Sequence, residues 1–252
     1  MFRPHRLIVC ALALLTILIA GAGVPESLNY KVMYKWGLIN KQAGHVNLST
    51  SQGSAGRFNA ILTAASEPWA DKFYMVRDTL RGIISTTNGE PDFYEKISHE
   101  GGSYKRDVIR YTRSGKLITA NCDRYEAKKE GNEPVHSFVT HQAEGFYLDM
   151  LSAFYYMRSL PFPSMRPDES RTMNIFSGKR IETLTIRYLG REEITIDKQK
   201  YTTYHISFRF TGKGGKETSD SMEAWIAADS SRIPLKLEGK LPVGKVVCLY
   251  TR

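Results

Sequence analysis

The sequence predicts a mainly β protein, a strongly curved antiparallel sheet or open barrel with one main buried helix. Three features lead there. Apolar residues recur with a period of two along much of the chain, glycine-rich turn signals fall at short intervals, and one long apolar stretch breaks the alternation. Alternation of this kind marks half-buried antiparallel strands, with one face on a core and one in water.

The chain opens with Arg3, His5 and Arg6, followed by an apolar run from Leu7 to Ala20 and the small residues Ala20-Gly21-Ala22. This order of basic start, short apolar core and small-residue ending is that of a secretory signal peptide over residues 1–22. The run is shorter than the ~20 apolar residues that span a bilayer. Cys10 lies inside the apolar run, with no cysteine at the cleavage point, which argues against a lipid-modified N-terminus. The expected product, residues 23–252, is a single β-rich domain that is periplasmic or otherwise exported and has no transmembrane segment after processing.

Arg3 and Arg6 leave with the signal peptide, so the formal net charge falls from +9 to +7. Export turns a basic surface away from nucleic acid; a solubilising charge with no particular partner is the favoured reading, and anionic lipid, acidic polysaccharide or a negatively charged partner are the alternatives. Cys122 and Cys248 survive processing, and an oxidising compartment permits one disulfide. Each sits in a strand-like stretch, and two strand cysteines need not be neighbours, so the expectation is that they do not pair.

The first strand spans Leu28 to Trp36, with Leu28, Tyr30, Val32, Tyr34 and Trp36 on one face and Asn29, Lys31, Met33 and Lys35 on the other. From Tyr201 to Thr211, Thr202, Tyr204, Ile206, Phe208 and Phe210 share a face opposite Thr203, His205, Ser207 and Arg209. Tyr204, Ile206 and Phe208 are therefore expected to be more buried than Thr203, His205 and Ser207. Asn88-Gly89, Gly101-Gly102, Ser114-Gly115 and Gly212-Lys213-Gly214-Gly215 supply the turns. Glycine gives them the positive φ that tight hairpins require.

Residues 143–159 read AEGFYLDMLSAFYYMRS, with Tyr147, Met150, Leu151, Phe154 and Met157 at helical spacing. A helix apolar around most of its circumference is a buried helix, expected on the concave side of the sheet. It would place Asp149 in mid-helix. Pro161, Pro163 and Pro167 end it, and the stretch Leu160–Pro167 reads as a crossover. A shorter helix is expected near Pro68–Tyr74, where proline suits the first turn.

Sequence motifs for chemistry are sparse. Gln52 occupies the first glycine position of a would-be nucleophile elbow at Gly53-Ser54-Ala55-Gly56. Gly212-Lys213-Gly214-Gly215-Lys216 lacks the spacing of a phosphate loop and is followed by Glu217. His136 and His141 have no nearby cysteine or carboxylate cluster to complete a metal site. The expectation is a non-enzymatic protein with no catalytic residues, no metal and no cofactor. The aromatic side chains line either a concave pocket or a dry core, and the core is favoured.

Four blocks carry a resemblance. They are Leu28-Asn29-Tyr30-Lys31-Val32 with Trp36-Gly37 and Ala43-Gly44; Asp149 to Arg158; Ala224-Trp225-Ile226 with Asp229 and Arg232-Ile233-Pro234; and Leu241-Pro242-Val243-Gly244-Lys245-Val246. Together they resemble a family of exported bacterial proteins defined by a domain of unknown function, which implies a curved antiparallel sheet and brings no defined activity. At fold level the Trp-Ile…Asp…Arg-Ile-Pro ending also looks like that of the lipoprotein carriers of the periplasm, which implies an open barrel and an inward-packed Trp225. Fold does not fix function.

The leading expectation is an envelope protein that binds an apolar or amphipathic ligand, such as a lipid, or an envelope protein partner, in the concavity of the sheet. Its candidate ligand-binding residues are Trp36, Tyr147, Asp149, Phe154, Arg158 and Trp225. The rivals are a hydrolase acting on envelope glycan or lipid, and a structural interaction module. Shifted inward carboxylates would favour the first rival and a filled core with a surface patch the second.

Overall fold

The computed structural model describes residues 25–215, 221–241 and 243–251. The expected signal peptide at residues 1–22 lies outside them. Strands β1 (Glu26–Trp36), β2 (Ile39–Gln52), β3 (Arg57–Ser66), β4 (Val76–Ser85), β5 (Pro91–Glu100), β6 (Ser103–Ser114), β7 (Leu117–Ala127) and β8 (Val135–Glu144) form a first meander. A short α1 (Pro68–Asp71) joins β3 to β4, with its proline in the first turn. Then come β9 (Tyr147–Leu148), α2 (Met150–Ser159) and a second meander of β10 (Ser170–Phe176), β11 (Ile181–Ile196), β12 (Gln199–Thr211), β13 (Met222–Ala227), β14 (Pro234–Lys240) and β15 (Lys245–Thr251).

All of these strands belong to one sheet in the order β8-β7-β6-β5-β4-β3-β2-β1-β15-β14-β13-β12-β11-β10-β9. Every pairing is antiparallel except β9–β10, which is parallel. A parallel pair requires a crossover, and α2 with the proline-rich stretch supplies it. Phe162 in that stretch is buried, and its ring stacks on Tyr204 at 4.8 Å.

In a flat sheet β4 and β10 would lie about 43 Å apart, nine strand spacings. Yet α2, only about 10 Å wide, touches both. The sheet therefore wraps around the helix. Its two ends meet without a ladder: Phe176 of β10 lies 4.9 Å from His141 of β8 and 6.5 Å from Tyr111 of β6, ring centre to ring centre, and His141 Nε2 lies 3.3 Å from the Lys179 carbonyl. The edges β8 and β9 share no ladder, so the barrel is curved and open.

The helix sits in the concavity between two apolar clusters. One joins Ala153, Met157, Phe162, Ile186, Tyr204 and Ile206 among its members. The other joins Leu151 and Tyr155 with Leu48, Phe58, Ile84 and Ile109, and Phe154 touches both. Tyr155 stands edge-on to Phe58 at 5.0 Å. At Gly82 of β4 a Cβ would lie 3.2 Å from Leu151 Cδ2, so the missing side chain lets the helix approach the strand.

Several expectations need correction. The helix is shorter than residues 143–159: Gly145 at φ 105° turns the chain, and Tyr147–Leu148 add a strand before the helix starts. Asp149 is consequently the N-cap rather than a mid-helix residue. On β12, Tyr204 and Ile206 are buried as expected, but Thr203 is also fully buried, Thr202 is exposed and Phe208 is only part-buried. Thr203 points away from the interior, where its Oγ1 donates to the Glu192 carbonyl at 2.7 Å and neighbouring side chains cover it. Trp36 does not join the core. It is exposed at the β1–β2 hairpin, where β1 is still paired with Ile39 of β2 but has passed the end of its ladder with β15.

Cys122 on β7 and Cys248 on β15 are both free. Cys122 faces Ile109 and Val139, and Cys248 faces Val32 and Leu237. Seven strand steps separate them in the sheet.

Candidate functional site

Along β5, β6 and β7 the inward face changes character. Tyr94, Ile109, Tyr111, Ala120 and Cys122 belong to the apolar cluster beneath α2. Two to four residues further along the same faces, by the period-two rule, stand Lys96, Lys105, Asp107, Arg124 and Glu126. Together with Met150 at the helix start and Ser177, Lys179, Arg180 and Glu182 from the β10–β11 hairpin, they line a cleft of about 460 Å³.

Most charges in this cleft are engaged. Arg124, nearly buried, donates through Nε to Asp107 Oδ1 at 2.7 Å and through Nη2 to Glu126 Oε1 at 2.9 Å. Lys96 Nζ lies 3.7 Å from Asp78 Oδ2 and 3.4 Å from Glu100 Oε1. Arg180 Nε lies 3.9 Å from Glu182 Oε1. Among the described residues, Lys105 and Lys179 have no ion-pair partner. Gly178, at φ 87°, brings the hairpin backbone against Asp107, where a Cβ would stand 2.6 Å from Oδ2.

Asp149 lies at the base of the same helix end. Its Oδ1 accepts from the Leu151 and Ser152 N–H groups at 2.9 and 2.7 Å, and its own N–H donates to Ser152 Oγ at 2.8 Å. This reciprocal box satisfies donors that a helix start leaves open. Oδ2 is buried without a hydrogen-bond partner among the described residues, as are the hydroxyls of Tyr94 and Tyr111. Burial raises the Asp149 carboxyl to about 7, against the pull of the helical N–H groups. Burial, and then the Asp149 charge, push the Tyr94 and Tyr111 hydroxyls well above their ordinary value.

The expected site residues do not converge. Tyr147 is buried at the barrel seam, beside a hollow of about 10 Å³ that Tyr111, His141 and Phe176 also line, room for about one water. Asp149 caps the helix and Phe154 packs between the two clusters. Arg158 lies at the other end of α2 from the cleft, bonded to Glu26 and to two carbonyls. Trp36 stands apart at a hairpin.

Trp225 is on the outer face, not the inner one. Its neighbours Ala224 and Ile226 join the interior cluster, so the alternating side chain between them points out. There Trp225 stacks on His205 at 4.3 Å, donates from Nε1 to Glu192 Oε2 at 2.8 Å, and lies under Lys236 Nζ at 3.6 Å. The His205 ring bridges Glu192 and Glu223, each at 3.0 Å.

The cleft residues Lys96, Lys105, Arg124, Lys179 and Arg180 are absent from the sequence-based candidates. The signal for the first three is charge on the face that carries Tyr94, Tyr111 and Cys122, legible once the phase of β5–β7 is known. Among the described residues no group of three or more His, Cys, Asp or Glu is placed to hold a metal ion.

A family model for a protein of unknown function, DUF3108, matches residues 29–249. The chain belongs to the DUF3108 family. The four blocks that carry the sequence resemblance all fall within or at the edge of the matched segment. Among solved structures, this DUF3108 chain is similar to a β-barrel-like protein of a domain of unknown function, DUF1849, from Brucella abortus. The TM-score is 0.64 at 7% identity, covering 90% of this chain and 96% of that one. At that identity the likeness speaks to fold alone. No curated protein matches the DUF3108 chain. Among its described residues no helix is long and apolar enough to cross a membrane.

Proposed function

We propose that this protein is an exported, non-enzymatic binding protein whose cleft takes the anionic head of an amphipathic envelope ligand. The observation that carries this reading is the lining of the cleft of about 460 Å³: five cationic side chains against three carboxylates, with Lys105 and Lys179 unpaired among the described residues. Exposed Met150 in the same lining offers a contact for the apolar part of the ligand. The interior beneath the helix is packed, and its hollow of about 10 Å³ at the seam has no room for an acyl chain. The apolar portion of a ligand therefore lies along the cleft rather than inside the barrel. Each carboxylate of the cleft is held by an arginine, so none stands free as a general base.

Native mass spectrometry of protein from its own host tests for a co-purifying amphiphile. Calorimetric titration with a short-chain phosphatidylglycerol should give saturable, salt-sensitive binding. Lys105→Ala combined with Lys179→Ala should weaken it about tenfold or more while leaving thermal unfolding unchanged, since each lost charge contact is worth ~1 kcal/mol. Equal binding by the double variant, or no binding to the parent protein, would overturn this reading.

A further inference from the structure

Three turns at one end of the barrel share a pattern. Lys35-Trp36-Gly37-Leu38-Ile39-Asn40-Lys41 forms the β1–β2 hairpin, Lys72-Phe73-Tyr74 follows α1, and Lys240-Leu241-Pro242-Val243-Gly244-Lys245 joins β14 to β15. Trp36, Leu38, Ile39, Phe73, Tyr74, Leu241 and Val243 are all exposed, Leu38 completely and Phe73 at 83%. These account for seven of the large apolar side chains that the described residues leave in solvent. Single exposed apolar residues are ordinary, whereas a cluster of them marks an interaction site.

The turns are stitched together. Tyr34 Oη donates to the Val243 carbonyl at 3.2 Å. A Cβ at Gly244 would collide with the Lys35 carbonyl oxygen and stand 3.0 Å from Trp36 Cβ, so glycine lets the third turn ride on the first. On the other side Trp69 Nε1 donates to the Gln42 carbonyl at 2.7 Å, and Glu67 N–H donates to the Ala43 carbonyl at 2.8 Å. Lys41 Nζ sits 4.4 Å above the Trp69 ring, which lies 6.3 Å from the Phe73 ring.

Among the described residues, the acids beside these three turns are engaged and several of the lysines are not. The acids are Glu67 with Gln42 and His45, Asp71 with Arg77, Glu238 with Lys236 and Lys245, and Glu100 with Lys96 and with the Tyr74 hydroxyl, which donates to its Oε2 at 3.4 Å. Lys35, Lys41, Lys72 and Lys240 have no carboxylate partner among the described residues. Apolar tips bracketed by lysines without a carboxylate partner suit a bilayer surface rather than a protein. Aromatic and aliphatic tips enter the headgroup boundary while lysine stems lie along them and hold their charges in water. Protein interfaces, by contrast, are depleted in lysine.

We propose that this rim docks the protein peripherally on an anionic lipid bilayer, with Trp36, Leu38, Phe73 and their neighbours in the headgroup boundary and the lysines against the lipid phosphates. Each lysine near such a surface raises affinity several-fold. The docking is separate from the cleft, which uses other residues.

Vesicle co-sedimentation decides it, using phosphatidylglycerol mixed with phosphatidylcholine against phosphatidylcholine alone. The parent protein should sediment with the anionic vesicles only, and brominated lipid should quench Trp36, with a Trp36→Phe variant losing that quenching. Leu38→Asp combined with Phe73→Asp should lower binding about a hundredfold or more, because each change removes apolar burial worth about a decade of affinity or more. Lys72→Glu combined with Lys240→Glu should do the same on anionic vesicles. The Lys105→Ala, Lys179→Ala variant should bind vesicles as the parent does, which separates this proposal from ligand capture in the cleft. Absence of binding to anionic vesicles, unquenched Trp36 in the parent, or undiminished binding by both rim variants would each overturn it. Capture of vesicles that disappears only with Lys105 and Lys179 would assign the surface to the cleft instead.

Discussion

Arg158 in the last turn of α2 and Glu26 at the start of β1 form a two-pronged ion pair, Nη1 to Oε1 at 2.5 Å and Nη2 to Oε2 at 3.1 Å. The same guanidinium donates to the carbonyls of Arg232 and Ser231 at 3.1 and 3.0 Å. One buried side chain thus ties the end of the helix to the middle strand of the sheet and to the β13–β14 loop. It also faces the last turn of α2, where a cation suits the helix dipole.

Removing Arg158 leaves Glu26 and two carbonyls without their donor. Arg158→Met should cost about 3–5 kcal/mol in urea unfolding, as expected when one partner of a buried pair is lost. Adding Glu26→Gln should recover part of that. A single-variant cost near zero would show that the helix end is held by apolar contacts alone.

The Asp149 carboxyl makes stability depend on pH. Burial raises it to about 7, whereas an unfolded aspartate titrates near ~4. Between these values the folded chain holds a proton that the unfolded chain has released, so the contribution is full below pH ~4 and is lost as pH rises through about 7. Asparagine keeps the cap without the charge. Asp149→Asn should therefore gain about 2–3 kcal/mol relative to the parent on going from about pH 5 to about pH 8. Urea unfolding at both values checks this, and an unchanged difference would refute it.

Gly244 is held at φ 78° with its α-carbon against Lys35. Gly244→Ala should destabilise by about 2–3 kcal/mol, from the left-handed backbone and the collision together. The turn would lift from the β1–β2 hairpin, so the emission of Trp36 should change in the folded variant. Gly56→Ala, also at positive φ but with open space around its α-carbon, should cost only the smaller backbone part.

Burial pushes the thiol of Cys122 up to about 12 and that of Cys248 up to about 11. Both should react slowly with a thiol reagent in the folded protein at neutral pH. Denatured without reductant, a chain lacking residues 1–22 should present two titratable thiols. A count of zero would mean a disulfide that the seven-strand separation does not permit.

Strand periodicity made the architecture legible because Leu28, Tyr30, Tyr204 and Ile206 obey one simple rule: a pleated strand turns alternate side chains to the core. The same rule put Thr203 on the outer face, where it stands, but took that face for a wet one; it is covered locally, as at His205, Glu192 and Lys236 around Trp225. The inward Trp225 came from the resemblance to lipoprotein carriers, whereas alternation with Ala224 and Ile226 turns it outward. Periodicity finds a buried side and cannot tell that the opposite side is covered too. Helical spacing from Tyr147 onward hid the start of α2. What sets that start is the hydrogen-bonded pair Asp149 and Ser152, a local signal that the apolar run outweighed. The cleft was the least legible part. Lys105, Arg124 and Lys179 come from three separate segments, and only the wrapped sheet brings them to one wall.

The sheet order has a consequence for assembly. Except at β1–β15, hydrogen-bonded neighbours in the sheet are also neighbours in sequence, and the two edges β8 and β9 are consecutive strands. The peptide link around Gly145 and Phe146 joins two halves that also hold each other at many other places. Those contacts include the seam at Phe176, His141 and Tyr111, the ladder from Asn29↔Thr251 to Lys35↔Lys245, the seat of α2 on β3 and β4, and the Arg158–Glu26 pair. A chain severed there and supplied as two pieces should reassemble into one barrel. The β1–β15 ladder closes the longest loop in the molecule, so in the intact chain it should be the slow step of folding, and in the two-piece protein refolding rates should rise with the concentration of the pieces.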